Sequence, residues 1–453
     1  MTSRRELFFA GGLSLASPRL IGTAFAGEKH LPGAVSVLKG NSKQVVIPTH
    51  EHCGDIEERL DFPAAWDVHV MNMAGHDAKP LSPAEIRERT RKPIGGRPLA
   101  ELAAGRRSAV ITFDDLTRPT PTAPVASAVV EELEQAGIAP ENIFFLASFG
   151  CHRTMEQDEV ARKLGPEMVR RHVWFNHNLF DGLAELGETS FKNRIYVNKL
   201  FLGAGLRITI SGVKIHTIAG YGGGAKAVLP GIAGLKSIRY NHQVLGKGNR
   251  TAAEAKIFTN ELRLDMVEAA RMANVDFSLQ IVYNNRRRPC GVFAGDVVEA
   301  HSAACRQANK LHRTATLRGA DVVVANAYPQ NSQATKAQAW IKESVREGGA
   351  GVLVMQHPQG MSSWHYLYQP GYAAKGDPLA VLSPRSSRPL DYQLIVYSQY
   401  LQKSQMSMFP PGAAFAATWE DTLRLLVARH KQDSRVAVYP YGGMQHGEVD
   451  LDG

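Results

Sequence analysis

A glycine-rich segment flanked by a histidine and containing a lysine is the densest group of chemically capable residues in the sequence. It runs from His216 to Pro230 as HTIAGYGGGAKAVLP. Glycines let a backbone approach a ligand closely, and successive N–H groups can cradle phosphate. We expect Pro230 to begin a helix whose N-terminus faces the same anion. The spacing fits neither a P-loop nor a dinucleotide fingerprint, and a plain flexible loop is the alternative.

Two further polar groups each follow an apolar run that predicts a buried strand. Asp115 and Arg118 stand three apart in the turn DDLTRPTP, and His152 belongs to the sequence GCHR. An arginine can fork onto a carboxylate or a phosphate, and a histidine titrates near neutral pH. These residues are candidates for anion binding and acid–base chemistry. An Asp–Arg pair that only staples the turn and a purely structural histidine are the alternatives.

Three other residues stand at informative positions. His242 lies sixteen residues after Lys226, near the end of the helix expected from Pro230. At this position it could be a metal ligand or a helix C-cap. Gln333 and Lys336 are three apart at the start of another expected helix and therefore share one face. Such a pair suits a carboxylate or a phosphate, although a solvated helix face has the same pattern.

The run His50-Glu51-His52-Cys53 also has residue types that bind metals. Two histidines and a cysteine would need a fourth ligand from elsewhere, and no clear partner exists in the sequence. A loop is the simpler interpretation. The chain has four cysteines, and their pairing is left open because sequence does not give disulfide connectivity.

The elements that would position these residues alternate between strands and helices. Ser82 is expected to cap a helix that begins at Pro83, with Glu85 completing a capping box. Apolar runs and helical spacing predict the remaining elements. The predicted strands are 108–113, 142–148, 207–211, 320–325 and 351–356, and the predicted helices are 121–137, 155–164, 332–346, one beginning near 230 and one near 296.

This alternation predicts an α/β fold of two domains with mostly parallel sheets that flank an active-site cleft. The arginine run 286–288 followed by Pro289 marks the expected boundary. We therefore expect an N-terminal cofactor-binding and catalytic domain over 27–290. A C-terminal domain over 291–453 would contribute the substrate contacts.

Composition excludes several classes of protein. The chain has 453 residues, of which 44% are hydrophobic and 21% charged, as in globular proteins. The formal net charge is +9, but the lysines and arginines are scattered, which argues against a nucleic-acid partner. Beyond the N-terminus no apolar run is long enough to span a bilayer, so we expect no stable membrane insertion.

Residues 1–26 have the three parts of an export signal. Arg4 and Arg5 precede a weakly apolar stretch, and Ala24-Phe25-Ala26 offers a small-x-small cleavage site. The order Ser-Arg-Arg-x-Leu-Phe resembles a twin-arginine signal, a route that carries folded proteins. We therefore expect a periplasmic protein exported by the Tat translocase, with a mature net charge of +7, and a frayed cytoplasmic N-terminus is the alternative.

Taken together, these motifs resemble the nickel-pincer lactate racemase family over roughly residues 80–400. The D-x-T-R-P turn, the G-x-H-R sequence, the glycine-rich stretch and the later histidine occur in the family order. The resemblance implies a racemase or epimerase that inverts C2 of a lactate-like 2-hydroxy acid. It also implies a nickel-pincer nucleotide, pyridinium-3,5-bisthiocarboxylic acid mononucleotide, which cofactor biosynthesis enzymes would supply before export.

The resemblance assigns a role to each matching position. Lys226 would carry the cofactor through a thioamide bond, His242 would be the protein ligand of nickel, and His152 and His216 would be the two acid/base histidines. The catalytic set would also include Asp115 and Arg118, and substrate contacts would come from Arg118, Gln333 and Lys336. The other positions near the cofactor would be Asp115, Thr117, Arg118, Gly222, Gly223 and Gly224.

One position departs from the family pattern. The family has a tryptophan over the substrate, whereas the corresponding position here is Tyr392, which we expect to contact the substrate. Trp364 lies nearby in a different sequence context. The departure affects the identity of the substrate more than the type of reaction.

The implied chemistry explains why two histidines are needed. The C2 hydrogen of a 2-hydroxy acid is weakly acidic, and its movement as a hydride onto an electron-poor pyridinium avoids a carbanion. Inversion then requires a base for the hydroxyl proton on each side of the substrate. Two other classes remain: a periplasmic protein that binds an anion or a cofactor without catalysis, and a nicotinamide-dependent dehydrogenase.

Overall fold

The structure is a computed structural model, and it describes residues 42–246, 251–360, 390–402, 405–406 and 409–452, together with the backbone of 35–37. The predicted export signal of residues 1–26 and Trp364 lie outside the described residues. No helix within the described ranges is both long enough and apolar enough to cross a membrane.

The strands of the described residues are numbered in chain order. They are β1 (Val35–Val37), β2 (Ser42–Pro48), β3 (Glu57–Pro63), β4 (Asp67–Val70), β5 (Ala109–Asp114), β6 (Ile143–Ser148), β7 (Trp174–Asn176), β8 (Leu183–Glu188), β9 (Arg194–Asn198), β10 (Leu206–Gly212), β11 (Ile215–His216), β12 (Gly220–Tyr221), β13 (Phe277–Tyr283), β14 (Pro289–Gly295), β15 (Ala320–Asn326), β16 (Val345–Val354), β17 (Gln393–Tyr397), β18 (Ala414–Ala416) and β19 (Arg435–Tyr439).

The helices follow the same convention. They are α1 (Pro83–Arg91), α2 (Leu99–Ala103), α3 (Ala123–Gln135), α4 (Gln157–Leu164), α5 (Pro166–Arg171), α6 (Lys199–Gly203), α7 (Leu235–Arg239), α8 (Glu261–Met272), α9 (Glu299–His312), α10 (Thr335–Ser344) and α11 (Trp419–Val427).

The first large sheet has the order β14-β13-β10-β5-β6-β7, and only the β13–β14 pair is antiparallel. Its central strands are apolar throughout because packed side chains cover both faces. In β5, for example, Ile111 and Phe113 pack on one face while Val110 packs on the other. Parallel strands have their carboxyl ends on one edge, and this edge positions the candidate site.

The second large sheet is entirely parallel, with the order β18-β17-β16-β15-β19-β4. Its core includes Val322 and Val352 together with Val45 and Phe62 from the antiparallel strands β2 and β3. The predicted α/β class with mostly parallel sheets is therefore confirmed. An early part of the chain, residues 42–70, packs on the later of the two sheets.

The arginine run 286–288 forms the turn of the β13–β14 hairpin, so the predicted boundary at 290 falls inside the first sheet. Helix α9, which begins after that boundary, packs against β13 and β14. The chain moves from the first sheet to the second between His312 and Ala320. Turn residues alone do not locate the crossing between the two sheets, because hairpins and domain linkers use the same residue types.

Most predicted elements match within a few residues, including the capping box of Ser82 and Glu85 at α1. The helix expected from Pro230 is a correction. Pro230 follows a cis peptide bond in a turn, and α7 begins five residues later at Leu235. A proline can open a helix or occupy a turn, and local sequence does not separate the two.

Candidate active site

The predicted site residues converge on one cavity of about 400 Å³ at the carboxyl ends of β5, β6 and β10. The second sheet contributes the segment that leads into α10. Ten of the residues predicted from sequence line this cavity: Asp115, Arg118, His152, His216, Gly222, Gly223, Lys226, His242, Gln333 and Lys336.

Asp115 and His152 form a buried pair at the ends of two neighbouring strands. Asp115 Oδ2 lies 2.6 Å from His152 Nδ1, while Asp115 Oδ1 accepts the backbone N–H of Thr117 at 2.7 Å. Burial opposes ionisation of Asp115, but His152, Arg118 and Thr117 together hold the pKa of this carboxyl below its usual value. The ionised carboxylate fixes Nδ1 as the protonated nitrogen, which leaves Nε2 as the basic one.

Thr117 and Arg118 complete this turn. Arg118 Nη1 donates to Thr117 Oγ1 at 2.9 Å, and the same hydroxyl lies 3.1 Å from His152 Nδ1. Thr117 itself is buried and supports the two neighbours that line the cavity. The turn therefore presents an arginine and a histidine whose orientations depend on each other.

His216 has the opposite arrangement. Its Nδ1 accepts the backbone N–H groups of Ile218 and Ala219 at 3.4 and 3.3 Å. Burial and the positive charges of Lys226, Lys336 and Arg118 lower the pKa of His216 well below its usual value, so the ring is neutral. A neutral imidazole that accepts at Nδ1 carries its hydrogen on Nε2.

The glycine-rich segment is shaped by what packs behind it. A side chain at Gly223 would meet Gln280 Oε1 at 2.6 Å, and one at Gly224 would meet Arg263 Nη2 at 2.7 Å; both residues have positive φ. The N–H groups of Gly222 and Gly224 donate to Lys214 O and Gln280 Oε1. The prediction that successive N–H groups cradle phosphate is therefore wrong for these two, because the protein already satisfies them.

Lys226 and His242 both face the cavity, where the protein disfavours the charged form of each side chain. Burial is the largest reason that the pKa of Lys226 is well below its usual value, and Arg263, Arg118 and Lys336 lower it further. Burial and the charge of Lys226 lower the pKa of His242 to about 3. His242 belongs to a π-helical turn, Tyr240–Leu245, that follows α7. Such turns are frequent at functional sites.

A group of cationic side chains lies at the side of the cavity nearest the second sheet. Lys336 donates to Gln330 Oε1 at 3.3 Å, and Gln330 in turn donates to Gln333 Oε1 at 3.1 Å. Burial and the charge of Arg118 lower the pKa of Lys336 to about 8. Lys214 also lines the cavity beside Lys336, which the sequence interpretation did not include.

Two sequence expectations do not lead to the cavity. Tyr392 is buried in the core of the second sheet and hydrogen-bonds Gln338, so its side chain is not brought to the site. Within the described residues no group of three or more His, Cys, Asp or Glu side chains is placed to hold a metal, and His50, His52 and Cys53 contact Tyr400, Arg118 and His357 instead. All four cysteines are free thiols.

The fold and the cavity define an α/β protein of two mostly parallel sheets with histidine, aspartate, arginine and lysine side chains gathered at strand ends. Residues 53–254 match the sequence model described as the lactate racemase N-terminal domain. The lactate racemase of Lactiplantibacillus plantarum is 30% identical over 270 residues, which cover 58% of this chain and 63% of that protein. The lactate racemase of Thermoanaerobacterium thermosaccharolyticum is 26% identical over 282 residues, with 61% and 66% covered.

The matched part of the chain spans less than two thirds of either curated relative. The solved apoprotein of the Thermoanaerobacterium enzyme shares the fold with a TM-score of 0.66 and 21% identity, covering 90% of this chain and all of that one. A structural-genomics structure from Thermotoga maritima has a TM-score of 0.60 at 18% identity, covering 82% and 99%. The chain is thus similar to lactate racemases in sequence over more than half of its length and in fold over most of it, in agreement with the resemblance predicted from its motifs.

Proposed function

We propose that this protein is a racemase or epimerase that inverts C2 of a 2-hydroxy acid. The observation that carries the proposal is the pair of histidines on one cavity with opposite hydrogen-bonding at Nδ1. His152 presents a basic Nε2, whereas His216 presents an Nε2–H. One residue is therefore ready to take the hydroxyl proton of the substrate while the other is ready to return a proton.

Inversion makes use of this difference. C2 would become planar when the substrate hydroxyl loses its proton to one histidine and the C2 hydrogen leaves as a hydride to an acceptor that the family's cofactor would supply. Return of the hydride to the opposite face of C2, with a proton given back to the oxygen by the other histidine, would complete the opposite enantiomer. Afterwards the two rings have exchanged protonation states, which is the arrangement needed for the reverse reaction. A positioned general base of this kind contributes a rate factor on the order of 10²–10⁴.

Arg118 and Lys336 bind the substrate carboxylate in this proposal. Both are cationic groups on the cavity wall, and both act on the charge state of His216. A carboxylate held by them lies beside the histidine that exchanges the hydroxyl proton. The two residues come from different sheets, so the substrate would connect the two sides of the cleft.

The residues of the cavity fit the cofactor of the lactate racemase family. A lysine amine whose pKa is lowered, as at Lys226, can form an amide-type bond, and a neutral imidazole, as at His242, is the metal-binding form of histidine. Gln243 Nε2 and Ser332 Oγ line the same cavity as buried polar atoms that have no hydrogen-bond partner among the described residues, as expected where a polar group binds. When bound, the pyridinium ring of the nickel-pincer nucleotide supplies a hydride acceptor for the C2 hydrogen.

Export to the periplasm is part of the proposal and is supported by the sequence of residues 1–26 alone. A cofactor attached at Lys226 would be acquired from biosynthetic enzymes before passage through the Tat translocase, because that route carries folded proteins. Replacement of Arg4 and Arg5 by lysine should retain the protein in the cytoplasm. Cell fractionation tests this, and unchanged periplasmic protein would argue against the signal.

The central test combines mass, metal and activity. The full chain is co-expressed with cofactor-forming enzymes, and its intact mass, nickel content and racemisation of a panel of 2-hydroxy acids are measured. We expect a mass increase located on Lys226, nickel bound in proportion to it, and racemisation of at least one acid. Lys226→Ala should lose all three, whereas His242→Ala should lose nickel and activity and keep the mass increase.

Lys236→Ala is the matched control because this exposed lysine lies on the adjacent helix α7. It should retain mass, nickel and activity. Full activity in Lys226→Ala would contradict the site assignment. A chain that binds anions but carries neither the mass increase nor nickel would instead be a binding protein.

A further inference from the structure

The loop of residues 50–55 carries chemically capable side chains that the proposed reaction does not use. It follows β2, and none of its residues lines the cavity. Three of them, His50, His52 and Asp55, have φ values of 60°, 62° and 47°, a region that residues other than glycine rarely adopt. Such a conformation persists only where the surrounding contacts impose it. The contacts of this loop therefore indicate what its shape is for.

Contacts inside and around the loop hold this shape. The N–H groups of Cys53 and Asp55 both donate to the carbonyl of His50, at 2.8 and 3.1 Å. Asp55 Oδ1 accepts from Arg287 Nε at 2.9 Å and from the Tyr328 hydroxyl at 3.1 Å. The loop is thus fixed from within by its own backbone and from outside by the β13–β14 hairpin and the segment that follows β15.

Glu51 binds the side of the cavity that belongs to the second sheet. Its Oε1 accepts the backbone N–H of Asn331 at 2.7 Å, and Oε2 accepts the side-chain amide of Asn331 at 2.5 Å. Both residues are buried, so water does not replace these bonds. Ser332 and Gln333, the next two residues, line the cavity. The carboxylate therefore fixes the start of the segment that leads to Lys336.

His52 binds the side of the cavity that belongs to the first sheet. Its Nε2 lies 3.0 Å from the carbonyl oxygen of Arg118, and its Nδ1 lies 3.0 Å from Arg287 Nη1. A carbonyl only accepts and a guanidinium only donates, so a neutral ring with its hydrogen on Nε2 satisfies both contacts. His52 therefore holds the backbone of the turn whose arginine lines the cavity.

Glu51 and His52 are neighbours in the chain, so one peptide bond joins these two contacts. We propose that Glu51 and His52 are positioning residues that together set the distance between Arg118 on one wall and Lys336 on the other, and with it the width of the site for the substrate carboxylate. The inference rests on the proposed function because it concerns the same carboxylate site. It assigns neither residue a contact with the substrate.

Two independent local supports would show the same static contacts. The two arrangements differ in how the loss of each contact combines with the loss of the other. Contacts that act in series through one peptide bond form a single link, and breaking either end breaks it. A double variant should then weaken substrate binding no more than the stronger single variant. Independent supports would multiply the two effects.

Matched variants separate hydrogen bonding from side-chain size. Methionine and glutamine have similar lengths, but only glutamine forms these hydrogen bonds. Glu51→Met and His52→Met should each raise the KM for lactate by about 5- to 30-fold, the binding loss that corresponds to one or two unmade buried hydrogen bonds. The double methionine variant should match the stronger single one. The kcat and the cofactor mass on Lys226 should change little.

Glu51→Gln and His52→Gln should keep a KM for lactate close to that of the wild type. A side-chain amide has one donor side and one acceptor side, as the neutral ring of His52 has. Glu57→Met, which replaces an exposed carboxylate of β3, is the control for general effects of charge and should leave the KM unchanged.

A charge swap tests the contact between Glu51 and Asn331 without changing the volume of either side chain. Asn331→Asp places two carboxylates against each other and should raise the KM for lactate about as much as Glu51→Met does. Addition of Glu51→Gln to Asn331→Asp restores a donor opposite an acceptor, so the KM should return close to the wild-type value. This pair decides the question even if the methionine variants do not fold.

Three results would overturn the inference. They are a wild-type KM in both methionine variants, increases in KM that multiply in the double variant, and a charge swap that restores nothing. Amide hydrogen exchange needs no substrate and tests the link separately. Each methionine variant should speed exchange at both 116–120 and 331–336, and faster exchange on one wall only would contradict the link. A wild type that racemises no acid of the panel while both walls respond would sink the racemase proposal alone.

Discussion

Lys163 Nζ lies 2.6 Å from Asp114 Oδ1, and the ammonium also donates to the carbonyls of Arg118 and Thr120 at 3.0 and 3.1 Å. The lysine side chain has no exposed surface, so a fully buried cation holds the turn that contains the Asp115–Arg118 group. Asp114 also accepts from Thr120 Oγ1, which closes the turn on itself. This contact between helix α4 and the turn therefore positions the residues proposed to bind the anion and to exchange protons.

Lys163→Met should strongly destabilise the protein. Removal of one partner of a buried ion pair leaves an uncompensated charge and costs about 3–5 kcal/mol. Denaturant unfolding measures the loss. Lys192→Met is the control because Lys192 pairs with Glu188 at 3.7 Å on the surface, where such pairs contribute about 0–1 kcal/mol. Equal effects of the two variants would contradict the role given to Lys163.

Asp115→Asn tests the orientation of His152. An amide cannot enforce the Nδ1–H form of the ring, so His152 loses its basic Nε2 in much of the population. Racemisation should fall by a factor on the order of 10²–10⁴, in both directions, because each direction uses both histidines. Cofactor mass on Lys226 should be retained. Asp158→Asn, on the surface of α4, should leave the rate unchanged.

Substrate binding should weaken in mild alkali. Lys336 has a pKa lowered to about 8, so it is a cation below that pH and a neutral amine above it. The KM should therefore rise as pH increases through 8, by about tenfold at one unit above the pKa, whereas kcat changes less. Lys336→Arg keeps its charge, and its KM should be flat over the same range. A wild-type KM independent of pH from 7 to 9 would contradict this assignment.

Buried neutral histidines should make the protein sensitive to acid. Burial lowers the pKa of His312 to about 4, although its contact with the Tyr283 carbonyl at 2.9 Å opposes the shift. The unfolded chain takes up this proton near pH 6.5, so stability is complete above that pH and falls as pH decreases toward 4.

Each unit of difference between the folded and unfolded pKa of a histidine changes the free energy of unfolding by up to about 1.4 kcal/mol. Urea unfolding at pH 7.5 and pH 5 measures the change, and His177, with a pKa near 4, adds a similar contribution. His312→Gln should remove part of the pH dependence and keep a donor for the Tyr283 carbonyl. If the variant and the wild type lose equal stability on acidification, His312 is not a source of the effect.

The sequence alone predicted an element or a site residue correctly where the pattern that indicates it lies within a short stretch of the chain. Strands such as β5 and β15 are continuous apolar runs, and the residues that follow strand ends lie on the cavity as expected. The capping box of Ser82 and Glu85 could also be predicted, because helix geometry fixes the three-residue spacing between its members. The candidate site was predictable for the same reason, since Asp115, His152 and His216 each follow a predicted strand.

Contacts between distant parts of the chain were not readable in this way. Lys163 binds Asp114 across 49 residues of sequence, and Lys214 binds Gly443 across 229 residues. No local pattern predicts contacts over such separations. The glycines illustrate the same limit. They were attributed to ligand approach, whereas Gln280 and Arg263 fill the space behind Gly223 and Gly224. Strand β4 was missed because it has only four residues, one exposed and three half-buried, and they form no apolar run.

Strand β4 belongs to the second sheet and β2 and β3 pack on it, which has a consequence for any division of this protein into fragments. In the sequence, the strands of the first sheet lie between two portions of the second sheet. The last described residues contact the first half of the fold again, because Asp452 accepts the N–H of Ile257 at 2.6 Å. No single cut separates the two halves. A fragment bounded by 53 and 254 would include β4 without its partner β19 and would lack β13 and β14. The halves are therefore expected to be made, degraded and inherited together rather than exchanged as modules.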